Sequence, residues 1–421
     1  MADPEQDQAT SLELISSAAQ ILFSSGQTTE RMIRATHQFS SALGVRATVV
    51  PSWGELTICS QDHAGAHVKR TAVKPSGVDM KKVIETLTLI DRFREGLLDT
   101  TAARTELEKV SRANPVPILS FAVMAGAGAA ALGVIFGEVQ LLNLILIALS
   151  AGIGTVLRRS LARISHNLYV QPFSAALFAG IIGAVVDRLH PGSALRLVAV
   201  CPCMILVPGP HFLNGALDLA RMRFALGTAR MAYASLVTCV ICAGLLLGLS
   251  LGGDSLPASA LSRSVSLVYD VAAAGVAVAA YGIFFNMPWQ ILRVPILVGM
   301  LAHASRWIVI TVAGASVETG ALVACLMVGI IMTPVAESLR LPFAGVAFAS
   351  VVSLIPGVFI FRTVGGLTSL VTMRFSAAKG LLPQIASDSM TAALIILAMA
   401  IGLLVPKLCF EHFWESKAFN R

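Results

Sequence analysis

Long apolar stretches dominate the chain from about residue 115 onward. Each is roughly 18–22 residues long with few or no charges, which is the length that a helix needs to cross about 30 Å of hydrocarbon. Strands and loops that face lipid would leave backbone amides unpaired, so these stretches predict membrane-spanning helices. We predict ten spans, at 115–136, 139–157, 169–187, 197–217, 231–252, 264–285, 294–313, 317–336, 341–361 and 389–407.

The first hundred or so residues mix helical and strand patterns. A capping box at Thr10 and Glu13 opens an apolar helix that ends near Gly26, and a second amphipathic helix ends near Gly44. We interpret Ser52-Trp53-Gly54-Glu55 as a turn between two strands. The predicted strands and later helices of this region are VRATVVPSW, GELTICSQD, AHVKRTAV, an amphipathic helix introduced by Ser76 and Asp79, and a polar helix over 100–112.

These patterns predict an all-α polytopic membrane protein of about ten transmembrane helices with a small N-terminal α+β cytoplasmic domain. We place the cytoplasmic domain at 10–112, a first five-helix membrane repeat at 115–252 and a second at 264–408. Hydrophobic residues make up 56% of the chain and charged residues 13%, with a mean hydropathy of +0.77. Soluble domains contain about 25% charged residues, so this composition excludes a water-soluble protein.

The net charge of +7 agrees with an excess of Lys and Arg in cytoplasmic loops, so we expect no nucleic-acid partner. The chain opens with the acidic stretch MADPEQDQ rather than a signal peptide. We therefore expect both termini in the cytoplasm. The sequence shows no phosphate-binding glycine loop, nucleophile elbow or Cys/His metal pattern, and we expect no catalytic residue, metal or cofactor.

An internal repeat connects the two halves of the membrane region. The segment Leu206-Val207-Pro208-Gly209 recurs 148 residues later as Leu354-Ile355-Pro356-Gly357, and Arg158 matches Arg306 at the same offset. Each predicted unit has five spans, an odd number, so the second unit should enter the membrane from the opposite side. Inverted repeats of this kind are typical of transporters that expose one site alternately to either side of the membrane.

The two Pro-Gly pairs, Pro208-Gly209 and Pro356-Gly357, lie at matching positions within predicted spans. Proline removes one backbone hydrogen bond and glycine tolerates unusual dihedral angles, so each pair is able to interrupt its helix. Interrupted helices at matching positions of two halves predict a substrate site in a transporter. The alternative is a simple kink in a packed helix that binds nothing.

Polar side chains cluster around these pairs. His211, Asn214 and Asp218 follow the first pair at intervals of three and four, which places them on one helix face, and Arg362 holds the position of Asn214 in the second half. We select Asp218 and Arg362 as candidates to bind a zwitterionic or anionic substrate, and Asp218 also as a proton carrier. The alternative is that both side chains extend to the membrane surface from the ends of their spans.

A second candidate cluster lies in the seventh span. His303 and Arg306 share a helix face, and they are candidates for proton transfer and carboxylate binding, respectively. Asp270 in the sixth span is a further proton-carrying candidate. The alternative is that His303 and Arg306 have a structural role and pair with a helix carbonyl or with a carboxylate such as Asp270. Three polar residues in or next to the predicted spans either connect helices or line a cavity. They are Asn143, Gln171 and Asn286.

The order of these features resembles the bacterial threonine/serine exporter family. The resemblance rests on VVPSW followed by GELTICS, a glycine-rich first span ending at Phe136-Gly137, LVPGPHFLNGALDL at 206–219, and LIPGVFIFRTVGGL at 354–367. It implies export driven by the proton-motive force, of threonine and serine or, as in two-chain relatives, of dicarboxylates. The positions that it carries over are Pro208, Gly209, Asn214, Asp218, Pro356 and Gly357.

We therefore predict a secondary transporter that exports a small amino acid such as threonine or serine across the bacterial inner membrane, with proton coupling. An exporter of dicarboxylates such as succinate is the alternative, and a membrane-anchored enzyme or sensor is a more distant one. The expected partners are a small-molecule substrate and the lipid bilayer, and the sequence leaves homo-oligomerisation open.

Overall fold

The computed structural model describes residues 4–61, 66–74, 77–165, 167–189, 197–252, 265–372 and 375–419. They form a small α+β domain at the N-terminal end and a larger helical bundle. The bundle packs around one extended apolar core, and the N-terminal domain has a core of its own.

The N-terminal domain consists of four helices and a three-stranded antiparallel sheet of order β1-β2-β3, and the first two helices pack on the sheet. Val49 of the first strand pairs with Ile58 of the second, and both side chains point into the domain core with Phe23 and Phe39 of the first two helices. The elements are α1 (Pro4–Ser24), α2 (Thr29–Ala42), β1 (Ala47–Ser52), β2 (Glu55–Gln61), β3 (Ala66–Ala72), α3 (Met80–Arg94) and α4 (Thr100–Ser111).

Most of the predicted elements of this domain are confirmed, and one helix start is wrong. Helix α1 already begins at Pro4, so Thr10 lies inside the helix rather than at its start. The turn between β1 and β2 lies at Trp53 and Gly54, as predicted. Asp79 accepts a hydrogen bond from the Lys82 amide and thereby caps α3, whereas Ser76 lies outside the described residues.

Eight helices of the bundle are long and apolar enough to cross a membrane within the described part of the chain, and two bent pairs of shorter helices meet the same criterion together. The prediction of an all-α polytopic membrane protein is therefore confirmed. The helices are α5 (Ile118–Ile135), α6 (Leu141–Ile164), α7 (Val170–Leu189), α8 (Leu197–Met204), α9 (Gly209–Ala220), α10 (Phe224–Leu251), α11 (Leu267–Phe284), α12 (Trp289–Thr311), α13 (Val317–Ser338), α14 (Phe343–Val351), α15 (Gly357–Thr372) and α16 (Phe375–Phe419).

The two bent pairs coincide with the two Pro-Gly segments. Helices α8 and α9 meet at 46°, and the segment formed by α14 and the 3-10 turn Val352–Leu354 meets α15 at 66°. Both predicted interruptions are therefore present, in the fourth and ninth of the ten predicted spans.

The last span differs from its prediction. We predicted it at 389–407, but α16 runs from Phe375 to Phe419 and contains Pro383 and Pro406. A proline normally ends a helix in water because it removes one backbone bond. Within a bundle, neighbouring helices satisfy the freed groups, so the helix continues through both prolines.

The chain path shows that the second repeat is inverted. We use "domain face" for the side of the bundle that carries the N-terminal domain. The end of α6 lies there, since Arg159 donates to the Val116 carbonyl just before α5. Leu226 at the start of α10 packs in the domain core, and the Phe285 carbonyl after α11 accepts from the Met80 amide. Five crossings therefore separate the start of α5 from the end of α10, and α11 begins on the opposite face.

The two halves also pack their helices in the same pattern. Helix α7 packs on α10 as α13 packs on α16, and in each pair a glycine lets the two backbones approach closely. A Cβ atom at Gly180 would lie 2.4 Å from the Leu245 carbonyl oxygen, and one at Gly329 would lie 2.6 Å from that of Gly402. Gly180 and Gly329 are also matching positions of the sequence repeat.

Candidate functional site

The first interruption is a tight turn at Pro208. Gly209 donates its amide to the Val207 carbonyl at 2.9 Å, and Pro208 has φ −82° and ψ 58°, which are the angles of an inverse γ-turn. The Gly357 amide donates to the Ile355 carbonyl at 2.8 Å in the same way at the second interruption.

The turn at Pro208 leaves two backbone carbonyls without a helical donor. The Ile205 carbonyl would accept from Gly209, whose amide is already used, and the Leu206 carbonyl would accept from Pro210, which has no N–H. No other group of the described residues donates to either oxygen. Carbonyls of this kind are ready to bind a ligand.

The two interruptions meet across the interface between the repeats. A Cβ atom at Gly209 would lie 1.5 Å from the ring of Phe348 on α14, and one at Gly357 would lie 2.8 Å from Met204 on α8. Each glycine therefore packs on the first half of the other interrupted span. Tyr281 of α11 donates to the Met204 carbonyl at 3.1 Å and adds a third helix to this contact.

A cavity of about 330 Å³ opens beside the first interruption, toward the domain face. Of the sequence-predicted polar residues, it includes His211, Gln171 and Asn286, and Pro208 is part of its wall. The polar and charged residues that sequence reasoning did not select as site residues are Asp79, Thr155, Arg158, Arg159, Tyr233 and Tyr281.

Arg158 is a charged residue of the cavity wall. Its guanidinium lies 5.5 Å from the centre of the Phe284 ring, and no carboxylate of the described residues lies within ion-pair distance. Its neighbour Arg159 instead donates to the Val116 carbonyl at 2.5 Å and lies over the Phe121 ring. In the sequence, the match of Arg158 with Arg306 in the internal repeat is the feature that would have identified Arg158 as a candidate site residue.

The N-terminal domain covers part of the cavity mouth. Asn286 donates to the Asp79 carboxylate at 3.0 Å, so a charge of the domain lies among the cavity residues. Trp53 from the β1–β2 turn packs against Tyr233 at a ring distance of 5.2 Å and against His211 at 6.4 Å. The domain therefore contributes both a carboxylate and an aromatic side chain to this region.

Three buried polar side chains lie together beside the second interruption. His303 Nδ1 is 3.0 Å from an Asp270 carboxylate oxygen, and His303 Nε2 is 2.5 Å from the Ser353 hydroxyl. The exposed fractions are 3% for Asp270, 0% for His303 and 4% for Ser353. The structure thus brings together two of the three proton-carrying candidates and adds a serine that the sequence did not indicate. Arg306, one turn further on, forms no ion pair within the described residues.

Asp218 lies away from this cluster and from the cavity. Its carboxylate accepts from the Thr29 hydroxyl at 3.0 Å and lies 3.2 Å from Nε of Arg230, and both charged side chains are buried. Asn214, one turn earlier, donates to the Gly26 carbonyl at 3.2 Å. Arg230, which we predicted in a loop, belongs to α10. Asp218 and Asn214 therefore hold the N-terminal domain on the bundle.

The candidate pair of Asp218 and Arg362 is also not brought together. Arg362 lies 3.1 Å from the Asp388 carboxylate, which links α15 to α16 as the pair of Asp218 and Arg230 links α9 to α10. Asn143 donates a hydrogen bond to the Glu138 carboxylate at 3.0 Å and so connects α6 to the segment that precedes it.

An ionic network joins the N-terminal domain to both repeats. Glu30 pairs with Arg221 at 2.5 Å and with Arg223 at 2.6 Å in the first repeat. Burial raises the pKa of Glu30, but the hydrogen bond from Arg223 and the charges of the nearby arginines outweigh burial, so this pKa is below its usual value. In the second repeat, Arg340 pairs with Asp91 of the domain at 2.6 Å.

The described residues include no group of three or more His, Cys, Asp or Glu side chains arranged to hold a metal ion. Of the cysteines that are close in sequence, Cys201, Cys203 and Cys242 are buried and Cys239 is exposed.

Two family models match this chain. The model of the threonine/serine exporter family ThrE matches residues 13–252, which include the N-terminal domain and the first repeat. A model described as "Threonine/Serine exporter, ThrE" matches residues 270–409, within the second repeat. No solved structure matches the chain. The chain therefore belongs to the threonine/serine exporter family of multi-pass membrane proteins.

Proposed function

We propose that this protein is a proton-coupled secondary transporter that exports serine or threonine across the bacterial inner membrane. One observation carries the proposal: two interrupted helices of inverted repeats meet beside a cavity in which Arg158 has no carboxylate partner among the described residues. Inverted repeats suit alternating access because each repeat is able to take the role of the other on the opposite face. The family match supports a membrane exporter.

The orientation follows from the proposed direction of transport. We assign the domain face to the cytoplasm, with both termini on that side. The cavity then faces the compartment from which an exporter takes its substrate. Its volume of about 330 Å³ lies at the small end of the roughly 300–1,000 Å³ of small-molecule sites, which agrees with a substrate of amino-acid size.

The cavity offers complementary groups to the two charges of an amino acid. Arg158 would bind the carboxylate, since a guanidinium donates two parallel hydrogen bonds to it. The ammonium group would bind the Asp79 carboxylate and the free carbonyls of Ile205 and Leu206, all of which belong to cavity residues. This assignment uses Pro208 and Gly209 of the sequence-predicted site through the turn that frees those carbonyls.

The buried cluster of Asp270, His303 and Ser353 would carry the coupling proton. Ionisable groups inside a membrane are energetically costly, so they usually have a function. Histidine is a common proton carrier in proteins. Because Ser353 directly precedes the second interruption, a change in the protonation of His303 would act on that turn. The pair of Pro356 and Gly357 would transmit the change to the substrate site.

Dicarboxylate export is the second candidate, because Arg159 is a second cation among the cavity residues. Its guanidinium is engaged with the Val116 carbonyl and the Phe121 ring, which favours the amino-acid assignment. The two candidates differ in their substrate, so one assay separates them.

The test uses purified protein in proteoliposomes loaded with labelled serine, threonine or succinate. We expect efflux of serine or threonine that is accelerated by a pH gradient. Arg158→Gln should raise the KM about 10- to 100-fold, because a hydrogen bond to a charged group contributes about 1.5–3 kcal/mol. Arg163→Gln, an exposed arginine on the same helix, is the matched control and should leave the KM unchanged. Gradient-driven efflux of succinate alone would replace the proposal by the dicarboxylate alternative, and efflux of none of the three would refute both.

The proton assignment has a separate readout. Asp270→Asn and His303→Gln should abolish acceleration by the gradient but retain exchange of labelled for unlabelled substrate, because exchange moves no net proton. Gradient-driven efflux that persists in both variants would contradict the assignment.

A further inference from the structure

Ser150 of α6 has a buried hydroxyl without a partner. The residue is 2% exposed, and its oxygen forms no hydrogen bond with any residue that the structure describes. A buried polar group without a partner is unfavourable, so such a group usually has a ligand or an ordered water. Serines inside helices commonly donate to a carbonyl of the preceding turn, and Ser150 does not.

Ser150 lines a small space beside the first interruption. The volume is about 10 Å³, which is near the minimum for one water-sized atom. Its wall also contains Thr155, Ile205 and Leu206, and these three residues line the larger cavity as well. The small space is therefore an adjoining recess of the proposed substrate site.

The chemistry of the recess fits a hydroxyl group. Ser150 and Thr155 each donate and accept, whereas the free carbonyls of Ile205 and Leu206 only accept. No carboxylate is among the described residues of the recess wall, so an ammonium group would be buried there without an opposite charge. A hydroxyl group of a ligand accepts a hydrogen bond from Ser150 and donates one to a carbonyl, so it pairs with both the Ser150 hydroxyl and a free carbonyl.

We propose that Ser150 and Thr155 form the subsite that binds the side-chain hydroxyl of the substrate and so select serine and threonine over alanine. This inference rests on the proposed function. It assigns the amino-acid backbone to Arg158 and Asp79 in the larger cavity, and the side chain to the recess. Selection is expected to be strong, because a substrate without a hydroxyl leaves the buried Ser150 oxygen unpaired.

The test compares hydroxylated and unhydroxylated amino acids as competitors of labelled serine in exchange. Serine and threonine should compete at least about 10-fold better than alanine and 2-aminobutyrate in the wild type, because only the hydroxylated substrates pair with the buried Ser150 hydroxyl. Ser150→Ala should reduce this ratio to about 1–2 by weakening serine, and Thr155→Val should reduce it in the same direction.

Ser350→Ala is the matched control, since Ser350 is also buried but donates to the Val346 carbonyl of its own helix. Its ratio should remain that of the wild type. An unchanged ratio in Ser150→Ala and Thr155→Val, with normal exchange of serine by the wild type, would refute the subsite while the proposed function stands. A wild type that exchanges neither serine nor threonine would refute the proposed function itself. Ser150→Cys, which keeps a weak donor, provides a second variant if Ser150→Ala does not fold.

Discussion

Removal of the charge on Asp218 should loosen the N-terminal domain from the bundle. The side chains of Asp218 and Arg230 are each 2% exposed, and they are 3.2 Å apart. Asp218→Asn keeps the size of the side chain but leaves Arg230 buried without its counter-ion. Removal of one partner of a buried ion pair costs about 3–5 kcal/mol. Arg230 keeps its contact with the Phe23 ring at 4.9 Å and with Thr29 at 3.3 Å, so we expect about 3 kcal/mol.

The assay is the free energy of unfolding of the purified protein in detergent micelles, combined with protease cleavage of the N-terminal domain. Glu13→Gln is the control, because the pair of Glu13 and Arg104 is 3.2 Å apart but about half exposed. Loss of such a pair costs at most about 1 kcal/mol. Equal losses in Asp218→Asn and Glu13→Gln would refute the reasoning.

A double variant makes this test more specific. Arg230→Met in addition to Asp218→Asn removes both buried charges, and the apolar side chain fills a similar volume. A buried neutral amide costs much less than an unpaired buried charge, so most of the lost stability should return. A double variant that is no more stable than Asp218→Asn would show that the loss does not come from an uncompensated charge.

Two further predictions concern the interruptions and the ionic network. Gly209→Ala should cost about 1–3 kcal/mol or more in thermal unfolding because its Cβ overlaps the rigid Phe348 ring, whereas Gly357→Ala meets the flexible end of Met204 and should cost less; equal costs would contradict this packing. The pKa of Glu30 is lowered, so its contribution to docking is complete above its ordinary value of 4.5 and is lost as the pH falls through the lowered value. Protease cleavage of the domain should therefore increase at acid pH in the wild type, and Glu30→Gln should remove that part of the pH dependence.

The contrast between Asp218 and Arg158 shows which property of a charged residue the sequence does not give. Both were charged residues near an interrupted span or a repeat match, and the sequence alone favoured Asp218. In the structure Asp218 binds Thr29, which is 189 residues away, and Arg158 lines the cavity without a carboxylate partner among the described residues. The partner of a charged side chain depends on the packing of distant segments, and a single sequence does not contain that information directly.

The sequence was sufficient to give the membrane class, the approximate positions of nine of the ten spans and the two interruptions. These features depend on local properties: the length of an apolar stretch against the thickness of a bilayer, and the missing N–H of Pro208 and Pro356. The tertiary structure decided which polar groups face each other, since helix packing rotates each side chain toward a cavity, a partner or the N-terminal domain. Helix packing brings the Ser353 hydroxyl within hydrogen-bond distance of His303 and leaves the Ser150 hydroxyl without a partner among the described residues. It also brings the N-terminal domain to the cavity mouth.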